Sequence, residues 1–202
     1  MNKLLLVLGI VVVGLLGTAG FTALWGVGTY NSVVTKKEEA SKAISQVDNV
    51  YQRRFDLIPN IVETVKGEAA FERGTLEAVA KARASVGQFK IDQSVINDPA
   101  QFAKFQESQG ILGSALNRLM VIQEKYPDLK ANASFQHLMV ELEGTENRIA
   151  VERRGYNEAA QDYNRTIKVF PGSIVASYTG FKELPYFTAD AGSKTAPKVS
   201  FK

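Results

Sequence analysis

The sequence predicts an all-α protein: an N-terminal transmembrane helix followed by an elongated antiparallel, up-and-down bundle of three to four long helices. Three observations predict it. Leu4 to Gly28 carries no charged residue. Long stretches after it repeat apolar residues at helical spacing, and no useful β-type alternation occurs before the C-terminal tail. Finally, Phe135, Leu142, Ile149, Tyr156, Tyr163 and Phe170 recur every seventh residue, as in a helix lying along another for its whole length. The chain divides accordingly into an anchor (1–29), a helical bundle (30–170) and a tail (171–202), apolar at first and then flexible.

The charge-free run exceeds the roughly 20 apolar residues that a helix needs to span the hydrocarbon core. Lys3 precedes it, and Trp25 and Tyr30 stand at its far end, where amphipathic rings favour the membrane interface. A cleaved signal peptide is the rival reading, with Gly17-Thr18-Ala19-Gly20 as its processing site. The apolar length beyond that site favours an uncleaved, single-pass anchor. Lys3 on one flank and Lys36, Lys37 and Lys42 on the other do not separate the two orientations. The short positive start resembles a signal anchor in the cytoplasmic (inner) membrane of a bacterium, with the helical domain extracytoplasmic.

From Asn31 to about Val86 one stripe runs through Val33, Ile44, Val47, Tyr51, Ile58, Ile61, Val65, Ala69, Leu76 and Val79. Pro59 interrupts it by removing a hydrogen bond and crowding the preceding turn, which predicts a kink or a reversal near Phe55 to Pro59. The unbroken phase of the stripe favours the kink. Gly67 and Gly74 are further weak points. Gly87 to Asn97 reads as a loop. Asp98-Pro99 with Gln101 then forms a capping box opening the next helix, whose buried face is Phe102, Phe105, Leu112, Leu116 and Leu119. Tyr126-Pro127-Asp128-Leu129 ends it. The last long helix starts at Asn132 or Ser134 and reaches about Val169, roughly 55 Å at 1.5 Å per residue. Its seam is apolar at both ends and polar in the middle.

Composition narrows the function. Lysines and arginines number 24 against 21 acidic residues, and they are interspersed, so no dense basic patch for nucleic acid arises. Cysteine is absent and His137 is the single histidine. A catalytic thiol, a thiolate metal site and the paired Glu-x-x-His motifs of a di-metal bundle are therefore excluded. His137 reads as a half-exposed structural residue. No catalytic residue, cofactor or metal site is expected.

Two polar groups remain as candidates. Arg54, Asp56, Asn60, Glu63 and Lys66 flank the proline; Glu143, Glu146, Asn147, Arg148 and Arg153 occupy the polar middle of the last helix. They form either a partner-binding band or a buried polar layer that fixes the register of two helices. In the tail, Ile174, Val175, Tyr178, Phe181, Leu184, Tyr186 and Phe187 either pack on the bundle or present an apolar patch to a partner, a second copy or the membrane surface.

Several blocks resemble the LemA family: Arg53-Arg54-Phe55-Asp56-Leu57-Ile58-Pro59-Asn60-Ile61-Val62-Glu63-Thr64-Val65-Lys66-Gly67, Tyr126-Pro127-Asp128-Leu129-Lys130-Ala131-Asn132, and Glu141-Leu142-Glu143-Gly144-Thr145-Glu146-Asn147-Arg148-Ile149-Ala150. Tyr156-Asn157, Asp162-Tyr163-Asn164, Gly180-Phe181-Lys182 and Pro185-Tyr186-Phe187 are similar as well. The resemblance covers Tyr30 to Phe187. It implies a membrane or lipid anchor, an up-and-down bundle and no established enzymatic activity. It also implies a scaffold or adaptor role in the cell envelope, with a membrane metalloprotease or a TPM-domain protein as candidate partner. Without cysteine the anchor must be the helix itself. The expected function is thus a non-enzymatic, self-associating envelope scaffold. A membrane-tethered sensor is the alternative, although no output domain is recognisable in these residues.

Overall fold

The computed structural model describes residues 3–66, 72–89, 91, 93–122 and 125–188. Seven helices follow in order: α1 (Lys3–Lys66), α2 (Arg73–Val86), α3 (Gln93–Ile96), α4 (Pro99–Ile122), α5 (Pro127–Ala131), α6 (Ala133–Lys168) and α7 (Gly172–Thr179). No strand occurs among the described residues. The flexible end expected after residue 188 lies outside them.

Two compact units share α1 and α6. The first comprises Met1–Ala40 with Ala159–Glu183, the second Ser41–Glu158 with Leu184–Lys202. In the second, Ile58, Ile61 and Val65 of α1 are buried with Val79 and Ala82 of α2, Leu112 and Leu116 of α4, and Phe135 and Leu142 of α6. Direction follows from the contacts. Arg83 of α2 reaches back to Phe55, Tyr51 and Arg54 meet Phe105 and Gln109 of α4 in the same order, and α6 runs opposite, with Arg54 on Glu146. The four long elements alternate up and down.

Pro59 neither breaks nor reverses the chain, since α1 continues to Lys66. A proline at 59 supplies no N–H for the Phe55 carbonyl four residues earlier. The Arg83 Nε donates to that oxygen at 3.4 Å, and the same guanidinium lies 4.0 Å from the Phe55 ring centroid. A neighbouring helix thereby replaces the missing backbone donor. The stripe expected to run to Val86 is instead divided between α1 and α2, which run in opposite directions. The loop expected over 87–97 contains the short helix α3.

Caps sit where their residue types demand. Asp98 Oδ1 accepts from the Ala100 and Gln101 backbone N–H groups at 2.9 and 3.3 Å, and Gln101 Nε2 donates to Asp98 Oδ2 at 2.9 Å. Asn132 Oδ1 accepts from the Phe135 N–H at 3.1 Å and opens α6. Along α6 the heptad residues Phe135, Leu142, Ile149, Tyr156 and Tyr163 are all buried. Phe170 is exposed because the helix stops at Lys168.

The first unit is built differently. Val33 and Ala40 of α1, Tyr163 and Ile167 of α6 and Ala176 of α7 are buried, and Phe181 takes ring contacts from Tyr30 and Tyr163 at 5.8 and 6.5 Å between centroids. Gly172 must be glycine: a Cβ there would lie 1.9 Å from the Thr166 carbonyl oxygen. Gly180 closes α7 in the left-handed region at φ 76°, its N–H donating to Ala176 O. The N-terminal part of α1 exposes Leu5 to Leu16, Phe21 and Leu24. By length and composition α1 alone among the described helices is apolar enough to cross a membrane, which suggests a membrane anchor.

Candidate functional site

The polar centre of the second unit forms where the α1 stripe presents Tyr51 and Arg54 one turn apart. Arg54 is only 3 % exposed. Its Nη1 donates to Glu146 Oε1 of α6 at 2.8 Å, its Nη2 donates to Gln109 Oε1 of α4, and its guanidinium lies 5.0 Å from the Tyr51 ring centroid. One cation thus ties three helices together. Arg54 Nε has no hydrogen-bond partner among the described residues. Beside it lies a cleft of about 130 Å³ lined by Gln106, Gly113, Asn117 and Arg153 as well. That is room for a few waters, each of which occupies about 30 Å³ in the liquid.

The other candidate residues distribute outward. Asp56 is exposed and accepts from Gln52 at 2.8 Å. Glu63 and Lys66 pair with each other at 2.7 Å on the surface. Asn60 is exposed beside His137 in a shallow recess, and Glu143, Asn147 and Arg148 face outward. His137 is more exposed than its expected half-buried state. Arg153 points elsewhere, donating to the Thr188 carbonyl at 2.7 Å with its guanidinium 4.9 Å from the Phe187 ring centroid.

That contact belongs to a strap formed by residues 184–188. Phe187 is buried against Phe102 and Tyr156, with centroids 4.8 and 5.5 Å away. Asn157 brackets it, donating through Nδ2 to the Phe187 carbonyl and accepting from its N–H, both at 2.9 Å. Gln106 and Thr188 exchange bonds in the same reciprocal way. Tyr156 Oη donates to the Pro185 carbonyl at 3.0 Å, and burial pushes the phenol well above its ordinary range. Tyr163, raised by burial too, donates to the Lys182 carbonyl at 3.0 Å. Of the tail candidates, Phe187 is buried, Val175 and Phe181 are half-buried, and Ile174, Tyr178 and Tyr186 are exposed.

Sequence reasoning missed Gln109, Gln106 and Asn157. Gln109 leaves a signal: it sits four residues after Phe105 and three before Leu112, a polar side chain on an apolar stripe. Asn157 and Gln106 leave none, because their partners are backbone groups of the strap. No group of three or more His, Cys, Asp or Glu side chains suited to a metal occurs among the described residues. The arrangement offers positioned hydrogen bonds and buried charge, and among the described residues no nucleophile with a base beside it.

The chain is 32% identical over 174 residues to magnetosome protein MamQ of Magnetospirillum gryphiswaldense, a match covering 78% of this chain and 64% of that protein. MamQ 2 of Paramagnetospirillum magneticum is 30% identical over the same length and share. The chain therefore spans somewhat less than two thirds of these relatives. Protein LemA of Metamycoplasma hominis is 25% identical over 163 residues, 81% of this chain and 70% of that protein. The LemA family profile matches residues 43–201, a span that includes the Arg54 layer, the proline with its Arg83 partner and the strap, and the chain belongs to the LemA family.

Proposed function

We propose that this protein is a membrane-anchored, non-enzymatic scaffold of the bacterial cell envelope. Its helical domain beyond the anchor stands on the extracytoplasmic side of the inner membrane and binds other envelope proteins and further copies of itself. The observation that carries this reading is α1: one uninterrupted helix supplies the membrane-length apolar run and then the α1 stripe of the second unit's core. A binding surface built directly on an anchor holds its partners at a fixed distance from the bilayer, and tethering raises the effective concentration of weakly binding neighbours. Exposed Ile174 and Tyr178 on α7 are the self-contact we favour. A membrane metalloprotease or a TPM-domain protein is the favoured partner class.

Photo-crosslinking in intact membranes tests the proposal. A crosslinker at Tyr178 should trap a second copy, and crosslinkers along α6 should trap a limited set of envelope proteins. Adducts spread over abundant bystanders, unchanged by Tyr178→Ser or Ile174→Ser, would count against it. Orientation is decided by C-terminal reporters: activity of a cytoplasm-only reporter reverses it.

A further inference from the structure

An open groove of about 520 Å³ runs within the first unit between α1 and the end of α6. At one end lie Trp25 and Gly28, near the end of the strongly apolar part of α1. At the other lie Ser32, Lys36, Asp162 and Arg165. Polarity therefore changes along the groove in the order it changes across a bilayer surface. Below Trp25 the exposed Phe21 and Leu24 continue the apolar end down α1. Above Gly28, Ser32 and Lys36 stand about 6 and 12 Å further along the helix at 1.5 Å per residue. The headgroup layer is roughly 5–8 Å thick on each side of the hydrocarbon core, so Ser32 stands at the depth of lipid phosphates and Lys36 is rooted just beyond it.

The charges there differ in availability. Lys36 is engaged, 2.7 Å from Glu39 and 3.9 Å from Asp162. Arg165 is exposed and has no ion-pair partner among the described residues. Its planar fork suits bidentate contact with phosphate oxygens. Gly28 leaves the wall open, since a Cβ there would meet nothing within 4 Å. Trp25 is braced by Phe170, with centroids 5.2 Å apart, and Phe170 is itself exposed. An apolar end, an unengaged cation and an unfilled wall fit one occupant.

We propose that this groove binds one membrane phospholipid, its phosphate on Arg165 with Lys36 and Ser32 beside it, and its acyl chains along Phe21 and Leu24. The site rests on the anchor reading above. Bound lipid fills the groove between α1 and α6 and fixes the depth at which the first unit meets the bilayer.

The test uses the full chain in nanodiscs of phosphatidylethanolamine and phosphatidylglycerol, transferred to mild detergent for native mass spectrometry. One retained phospholipid per chain is expected. Arg165→Gln and Gly28→Phe should each lower its occupancy by roughly tenfold, the loss expected for a charge-assisted contact of about 1.5 kcal/mol. Millimolar inorganic phosphate should leave occupancy unchanged. Equal retention by wild type and both variants would identify ordinary surrounding lipid, and displacement by phosphate would identify a soluble-anion site; either overturns the proposal. Trp25 is the only tryptophan and gives a readout that needs no variant. Trace brominated phospholipid should quench it beyond its mole fraction, and random-neighbour quenching overturns the site. A carbonate wash beforehand separates the two failures: a chain washed off the membrane sinks the anchor, whereas a retained chain without specific lipid sinks only the groove.

Discussion

The two units use the same pair of helices for opposite surroundings. In the second, charge is drawn inward: Arg54 is buried on Glu146 and Gln109, and the exposed large hydrophobics among its described residues are only Ile111, Val121, Val140, Val151 and Tyr186. In the first, cohesion comes from rings, with Trp25 on Phe170 and Phe181 between Tyr30 and Tyr163. All the remaining exposed large hydrophobics among the described residues belong to it. Soluble proteins rarely leave so much contiguous apolar surface uncovered. One heptad seam can therefore serve two media. A buried polar layer suits the unit whose outer surface is polar. Where the surface is apolar, dispersion contacts and tight backbone packing hold the helices instead.

The costliest substitution should lie in that tight packing. Gly172→Ala places a methyl 1.9 Å from a backbone oxygen, which cannot rotate aside as a side chain would. We expect a loss of about 3 kcal/mol or more, at the upper end of overpacking costs. It should be confined to the first unit: amide exchange accelerates in α7 and residues 159–168 while Leu112 and Leu142 stay protected. Uniform acceleration across both units would undo the contrast, because the contact would then govern the whole fold.

Next in size is the polar layer. Arg54→Ala strands Glu146 and Gln109 and should cost about 2–3 kcal/mol, less than a fully buried pair because the Glu146 side chain is 32% exposed. Replacing Arg54, Glu146 and Gln109 together by Met, Met and Leu should restore most of the thermal midpoint, since a matched apolar layer removes the unpaired groups. It should also broaden amide resonances of α1 and α6 if the layer specifies register. Full stability in Arg54→Ala with loss of crosslinked partners would reassign the layer to binding.

Smaller still is the brace at Pro59. Arg83→Ala leaves the Phe55 carbonyl without its donor and removes a cation–ring contact, for about 1 kcal/mol. A Pro59→Ala, Arg83→Ala double variant should recover part of that loss, because alanine in place of the proline returns a backbone N–H to the same oxygen. Additive losses would show that the 3.4 Å contact contributes nothing.

Much of the fold was legible from the sequence, and its limits have physical causes. Helix starts at Asp98 and Asn132 were readable because capping is local. Five of the six heptad residues were buried as their spacing requires, the sixth lying past a helix end set by the Pro171-Gly172 turn. At Pro59 the unbroken phase of the stripe favoured a kink over a reversal, and α1 does continue without reversing; what was not readable is the donor to the Phe55 carbonyl, which Arg83 supplies from another helix. Arg54 and Glu146 both stood among the polar candidates, yet their pairing needed the antiparallel register of α1 and α6. Arg153 lies on nearly the same face of α6 as Glu146 but seven residues, about 10 Å, further along it, where its nearest acceptor is the Thr188 carbonyl of the strap. The strap was least legible, since Asn157 and Gln106 bind carbonyl and N–H groups that any residue could supply.

The weakest dependence concerns pH and the exposed capping box that opens α4 in the second unit. The Gln101 side-chain amide, then the Gln101 and Ala100 backbone N–H groups, hold the Asp98 carboxyl below its ordinary value of 3.8. A depressed value in the folded state means that the carboxylate contributes stability above the unfolded value. That contribution is lost as pH falls through the folded value. Asp98→Asn provides the comparison, because asparagine also caps a helix and does not titrate in this range. Between about pH 7 and pH 5 the difference in thermal midpoint between the two proteins should be constant. Below about pH 4, near the unfolded carboxyl value, it should shift in favour of the Asp98→Asn variant as the wild-type carboxylate protonates. Amide exchange at Gln101 and Phe102 should accelerate in the wild type over the same interval, since the first turn of α4 then frays. Parallel midpoint curves for wild type and Asp98→Asn would show that the capping box adds no charge-dependent stability.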